Sequence, residues 1–225
     1  MTKLDIELGS LKQETIEMWK LVESQLQKGL SALLNFDKDL AREIVLIEKR
    51  VNGAELKIDR DCEDILALYS PVAVDLRFLL AVLKINTNLE RIGDIAEGIA
   101  KMILDTKEPF ARPLLDVTMV VEMYGECLQM VSEILHAFEK EDSAIARGIF
   151  RRDELLDEIN RKANDLIGSY VAGHPEDMEQ SLTVLSMIRR LERIGDQAEN
   201  IAEEIIFYIE AKVLKHLSKR DKNIE

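Results

Sequence analysis

Apolar residues recur at helical spacing along almost the whole chain. From Leu4 they fall at Leu8, Leu11, Met18, Val22, Leu26, Leu30 and Leu33, in the three- and four-residue steps of an amphipathic helix. No segment shows the strict apolar–polar alternation of a half-buried strand. Prolines punctuate the pattern. Ser70-Pro71 ends one helix and starts the next, because proline suits a first helical turn. Pro109 and Pro113 bracket a short non-helical segment, and Gly173-His174-Pro175 makes the last break. Phe36-Asp37-Lys38-Asp39 and Phe138-Glu139-Lys140-Glu141 read as two further turns. The pattern predicts six long helices, over about 4–35, 39–69, 71–106, 113–139, 142–171 and 176–217. The expected fold class is all-α.

The two halves resemble each other. Leu89-Glu90-Arg91-Ile92-Gly93-Asp94 reappears 102 residues later as Leu191-Glu192-Arg193-Ile194-Gly195-Asp196. Ala96, Glu97, Ile99 and Ala100 match Ala198, Glu199, Ile201 and Ala202, so ten of twelve positions are identical. The two Phe-acid-Lys-acid turns share that offset. The chain reads as a tandem duplication of a three-helix unit: residues 1–108, a linker at 109–113, and residues 114–225.

Composition narrows the function classes. The 225 residues carry 30 Lys and Arg against 43 Asp and Glu, a formal net charge of −13, and 47% are apolar. That is too apolar for an acidic disordered chain and too acidic for binding nucleic acid through its phosphates. Aromatics at 5% argue against a β-rich protein. The N-terminus, Met1-Thr2-Lys3-Leu4-Asp5-Ile6-Glu7, offers no signal-peptide core. The longest apolar run, Phe78 to Leu83, falls far short of the ~20 residues a spanning helix needs. Cys62 and Cys127 form no Cys-x-x-Cys pair and read as buried thiols. A cytoplasmic chain is expected.

The repeated motif carries the chemistry. Glu90 and Asp94 are four apart and share one helix face, which Glu97 extends; Glu192, Asp196 and Glu199 do the same in the second unit. Like charges at that spacing are mutually unfavourable. Gly93 and Gly195, inside the same turn, each cost about 1 kcal/mol relative to alanine. A close helix approach explains the glycine, and a bound cation explains the paired acids. A solvated acidic face is the plainer alternative. A metal site needs facing ligands. Helix two carries Glu48, Glu55 and Asp59, and its counterpart carries Asp153 and Asp157. Antiparallel packing would set these against the motif. All-oxygen ligation suits Mg²⁺, Mn²⁺, Ca²⁺ or iron better than Zn²⁺ or Cu²⁺.

Other features weigh less. Glu133 and His136 form one Glu-x-x-His, where a ferritin-like di-iron bundle needs two. His174 reads as a loop residue, and His216 lies on a basic tail with Lys212, Lys215, Lys219, Arg220 and Lys222. There is no P-loop, dinucleotide fingerprint or nucleophile elbow, so no catalytic residue is expected. Trp19 and the methionines read as packing residues.

These motifs resemble the PhoU family of phosphate-uptake regulators along nearly the whole chain. The resemblance rests on the two Leu-Glu-Arg-Ile-Gly-Asp signatures, on Pro71-Val72-Ala73-Val74-Asp75-Leu76-Arg77, on Arg50-Val51-Asn52 followed by Glu55, and on Asp196-Gln197-Ala198-Glu199-Asn200-Ile201-Ala202. It implies two tandem three-helix bundles and metal ions, divalent or trivalent (iron, manganese, magnesium or zinc), at the paired acids. Glu90, Asp94, Glu192 and Asp196 would lead, with Glu55, Asp59, Asp153 and Asp157 facing them and Glu97, Glu199 and Asn200 as supplements. The resemblance also implies a non-enzymatic negative regulator, homodimeric or larger. It would act with the phosphate ABC transporter ATPase and the phosphate sensor histidine kinase, cytoplasmic and peripheral at the inner membrane through these partners. A metal store or carboxylate-bridged metalloenzyme is the alternative. Asn52 stands where the second unit has Asp157, so the first site is expected to be built differently.

Overall fold

The computed structural model describes residues 2–214, and among these it is helical with no strand. Seven α-helices follow in order: α1 (Lys3–Asn35), α2 (Lys38–Tyr69), α3 (Ala73–Asp105), α4 (Arg112–Thr118), α5 (Val120–Lys140), α6 (Ser143–Gly173) and α7 (Met178–Glu210), with a 3₁₀ turn at Pro175–Asp177. Helix α7 stops short of the expected end at 217: Ala211 is left-handed (φ 57°) and its amide donates to Phe207 O at 2.9 Å, closing the helix at Glu210. His216 and the tail beyond Leu214 lie outside the described residues.

Local chemistry sets the boundaries. Thr2 caps α1 with a reciprocal pair: its Oγ1 accepts from Asp5 N at 3.1 Å, while Asp5 accepts from Thr2 N at 2.6 Å. Asp37 caps α2, and Asp142 caps α6, each through one carboxylate oxygen that accepts two first-turn amides. These caps are 105 residues apart, as are the left-handed residues Phe36 and Glu141 that end α1 and α5. The turns are therefore equivalent at an offset of 105, not at the 102 of the phenylalanines. Phe138 lies inside α5 and is fully buried, whereas Phe36 is the half-exposed end of α1.

Three further boundaries differ from expectation. Helix α3 starts at Ala73 rather than Pro71, because Ser70 is left-handed and Val72 is extended, with Pro71 a rigid connector. The expected helix over 113–139 is two helices. Met119 adopts a left-handed conformation (φ 55°), and the buried Thr118 turns its hydroxyl back to Leu114 O at 2.7 Å. Pro113 sits in the first turn of α4 rather than bounding a linker. The chain crosses between halves from Thr106 to Ala111.

Helices α1, α2 and α3 pack together, and α5, α6 and α7 do the same, with α4 laid against α5 and α6. The halves meet through α3 against α7 and α1 against α5. Lys84 pairs with Glu204 at 2.9 Å, and the Arg190 guanidinium lies over Gly98. This antiparallel register brings Gly93 level with Gly195. Across the other seam, the Trp19 indole donates to Val131 O at 3.1 Å. Trp19, Phe78, Phe138 and Tyr208 form an aromatic group spanning the two halves, with ring centroids 5.7–6.3 Å apart. Cys62 and Cys127 are buried free thiols. Most methionines pack as expected, but Met119 and Met178 are exposed.

Candidate functional site

Each repeated motif lies on the last helix of its half, beneath which the preceding helix runs antiparallel. Gly93 opens a gap on α3 that the Glu48 side chain of α2 fills. A β-carbon on Gly93 would stand 2.7 Å from Glu48 Oε2, 3.2 Å from Gln25 Oε1 and 3.3 Å from Val51 Cγ1. Gly195 is the counterpart on α7. A β-carbon there would clash with Asp153 Oδ1 and stand 2.8 Å from Leu156 Cδ2. Both carboxylates are buried, Glu48 at 3% and Asp153 at 0% exposure.

In the first half the expected acids are brought into electrostatic reach of one another. Burial pushes the Glu48 carboxyl up to about 7; the hydrogen bond from Gln25 opposes this, and the charges of Asp94, Glu97 and Glu90 add to it. Glu55 is raised by burial, then by Asp59 and Asp94. Glu90 is raised by burial, then by Asp94 and Glu55, with Arg91 pulling the other way. Asn86 donates to Asp59 at 2.8 Å and to Glu55 O at 3.0 Å, which fixes the registry of α2 against α3. Glu97 pairs with Lys101 at 2.6 Å. Asn52 is exposed.

In the second half Asp153 and Glu199 are buried, Glu192 is half-buried, and Asp157 and Asp196 are exposed. The supplementary Asn200 is exposed on the α3–α7 seam, in a groove with Lys84, Asn88 and Arg91. Glu133 is held by Arg152, whose Nε and Nη2 donate to its two oxygens at 2.8 and 2.6 Å, while Nη1 reaches Glu126 at 2.5 Å. His136 is exposed beside this clasp, and His174 stacks on Tyr170 at 4.4 Å as a loop residue.

Sequence named Glu48 among the facing acids but not its particular role, and it did not single out Gln25. Glu48 holds the position beside Gly93 that Asp153 holds beside Gly195, a role that the pairing of Glu55 with Asp59 obscures. Gln25, from α1, donates to Glu48 Oε2 at 2.7 Å. Gln25 Oε1 and Glu48 Oε1 are buried with no hydrogen-bond partner. Only the glycine signals this: a helix-interior glycine retained in both motifs needs something to fill its gap.

The donor set in the first half is all oxygen and mutually repulsive, as a hard cation requires. Among the described residues, though, no three His, Cys, Asp or Glu side chains are gathered tightly enough to hold an ion as they stand. A cation would have to draw Glu90, Asp94 and Glu55 inward.

Comparison with known proteins bears on both halves. The family described as PhoU domain matches residues 15–103 and 120–205. The phosphate-specific transport system accessory protein PhoU of Edwardsiella tarda is 33% identical over 220 residues, covering 97% of this chain and 89% of that one. Its namesake in Escherichia coli strain K12 is 32% identical over 216 residues, covering 96% and 88%. The crystal structure of PhoU from Pseudomonas aeruginosa superposes with a TM-score of 0.85 at 29% identity, covering 93% of this chain and 100% of that one. With both halves matched, and relatives near one-third identical along almost its full length, the chain belongs to the PhoU family.

Proposed function

We propose that the chain is a non-enzymatic, metal-binding regulator of phosphate uptake. It acts in the cytoplasm, as a homodimer or larger assembly, on the phosphate ABC transporter ATPase and the phosphate sensor histidine kinase. The relatives' role as accessory proteins of phosphate transport supports the transporter part. One observation carries the metal part: acids of α2 and α3 lie within electrostatic reach of one another, so that burial and their mutual charge raise the pKa values of Glu48, Glu55 and Glu90 together. Glu90, Asp94, Glu55 and Asp59 would hold an ion in the first half, with Glu97 as supplement. Glu192, Asp196, Asp153 and Asp157 would hold one in the second, with Glu199 as supplement. The ion would supply positive charge and an open valence for phosphate oxygens. The chain's own part is to keep the acids on one face and the helices close enough to share them.

A metal store or oxidase is less favoured. Its one Glu-x-x-His has the glutamate committed to Arg152 and the histidine in solvent.

The test is elemental analysis of protein purified without chelator, beside the Glu192→Ala/Asp196→Ala and Glu90→Ala/Asp94→Ala variants. Each variant is expected to lose the metal of its own half; unchanged content overturns the site. A pull-down from phosphate-replete cells checks the partners, and failure to recover either the ATPase or the kinase counts against that part.

A further inference from the structure

The end of the first bundle where α1 begins, α2 ends and α3 begins combines exposed apolar side chains with carboxylates. Leu68, Val72 and Val74 stand in solvent there at 74%, 72% and 52% exposure, and Ile6 in the first turn of α1 is 52% exposed. The loop that presents the two valines is strained. Ser70 (φ 47°) and Ala73 (φ 51°) are both left-handed without being glycine, a conformation that crowds the β-carbon. The first turns of α1 are flanked by two grooves. The inner one, about 250 Å³, is lined by Leu8, Val74, Phe78 and Tyr208 among others, and the buried Tyr208 hydroxyl has no hydrogen-bond partner. The outer one, about 310 Å³, is lined by Glu7, Glu14, Asp61 and Asp64 beside Leu68. Among the described residues that line it the one cation, Lys57, is already paired with Glu14 and Asp61.

Apolar side chains in water beside a row of carboxylates define the complement: apolar residues on one face and cations on the other. We propose that this end docks a basic amphipathic helix of a protein partner. Its apolar face would cover Leu68, Val72 and Val74, and its lysines or arginines would face Glu7, Glu14, Asp61 and Asp64. The α1 segment from Leu4 to Glu14 spans roughly 15 Å, so about three turns of partner helix would cover it. An anionic membrane surface would be repelled by the same carboxylates. This inference goes beyond the function proposed above. It does not involve the metal, so its failure leaves that reading standing.

The test uses the full chain and a fluorescent synthetic 14-residue peptide with leucines on one helical face and lysines on the other. A scrambled peptide of equal composition is the control. Anisotropy should show the amphipathic peptide binding about tenfold tighter than the scrambled one. Leu68→Ser and Val72→Ser should each weaken it several-fold, roughly the effect of losing a buried aliphatic contact. Asp64→Lys should weaken it comparably and reduce its salt dependence, whereas Glu179→Lys, at the opposite end, should leave it unchanged. All these positions are exposed or groove-lining, so the variants should melt with the parent. Equal affinity for the scrambled peptide, indifference to Val72→Ser and Asp64→Lys, or binding to anionic phosphatidylglycerol vesicles in place of the peptide would each overturn the proposal.

Discussion

The carboxylate of Glu48 on α2 lies where a side chain on Gly93 of α3 would begin, so the acid and the glycine occupy one space. Asp153 and Gly195 repeat the arrangement in the other half. The glycine of the motif is thus there for a carboxylate, not merely for close backbones.

Alanine at Gly93 should therefore destabilise the fold by about 1–3 kcal/mol through overpacking, against a helix-propensity gain of about 1 kcal/mol. Alanine at Gly195 should cost at least as much, since Leu156 and Asp153 both crowd it. Gly53→Ala, with nothing within 4 Å of the added carbon, should instead stabilise by about 0.5–1 kcal/mol. Urea unfolding of the three variants measures the contrast; a neutral Gly93→Ala would refute the packing.

The raised Glu48 carboxyl has a definite sign in stability. Its pKa lies near 7 in the fold against 4.5 unfolded, so the folded state binds more protons between those values. Metal-free stability should fall as pH rises from about 4.5 to 7 and then level off. The expected loss is about 3 kcal/mol. Glu55 and Glu90, also raised, add in the same direction. Glu48→Gln should flatten this slope in chelator-treated protein, and an unaltered pH profile would count against it.

The Tyr124 hydroxyl of α5 is fully buried against Gly29 of α1 and has no hydrogen-bond partner. An unsatisfied buried hydroxyl costs about 1–3 kcal/mol. Tyr124→Phe should therefore be neutral or stabilising in thermal unfolding, unlike most truncations in a core. A clear loss would mean the hydroxyl is satisfied.

Arg152 clasps α6 to α5 by holding Glu133 with two nitrogens and Glu126 with a third. Arg152→Ala should cost about 1–2 kcal/mol, more than an ordinary surface pair, because the contact is forked and half-buried. Arg152→Lys should restore only part of it, since an ammonium cannot reproduce the fork. Full rescue by lysine would argue that charge alone matters.

Sequence periodicity located the long helices because their apolar stripes are continuous, and the duplicated signature located the carboxylate stripes. It could not place the break at Met119, since left-handed backbone at a methionine leaves no mark in the hydrophobic pattern. It also aligned Phe36 with Phe138, whereas the aspartate caps Asp37 and Asp142 set the true correspondence three residues later. Glu48 stood among the expected facing acids, but its equivalence to Asp153 beneath the motif glycine is visible only in the folded register. Gln25 had no local signal, because its role depends on how α1 lies across α2.

The span from Thr106 to Ala111 is short, yet it alters how the two halves associate. They meet in the manner of an isologous dimer, with α3 antiparallel to α7 and α1 set against α5. Tethering makes that encounter intramolecular, so it persists at any dilution. It also frees each copy from having to be its own partner. Glu48 can fill in one half the place that Asp153 fills in the other, and Asn52 that of Asp157, without either residue being imposed twice. A single chain can thus hold two unequal acidic sites about one near-symmetric seam, which a true homodimer of half-length chains cannot.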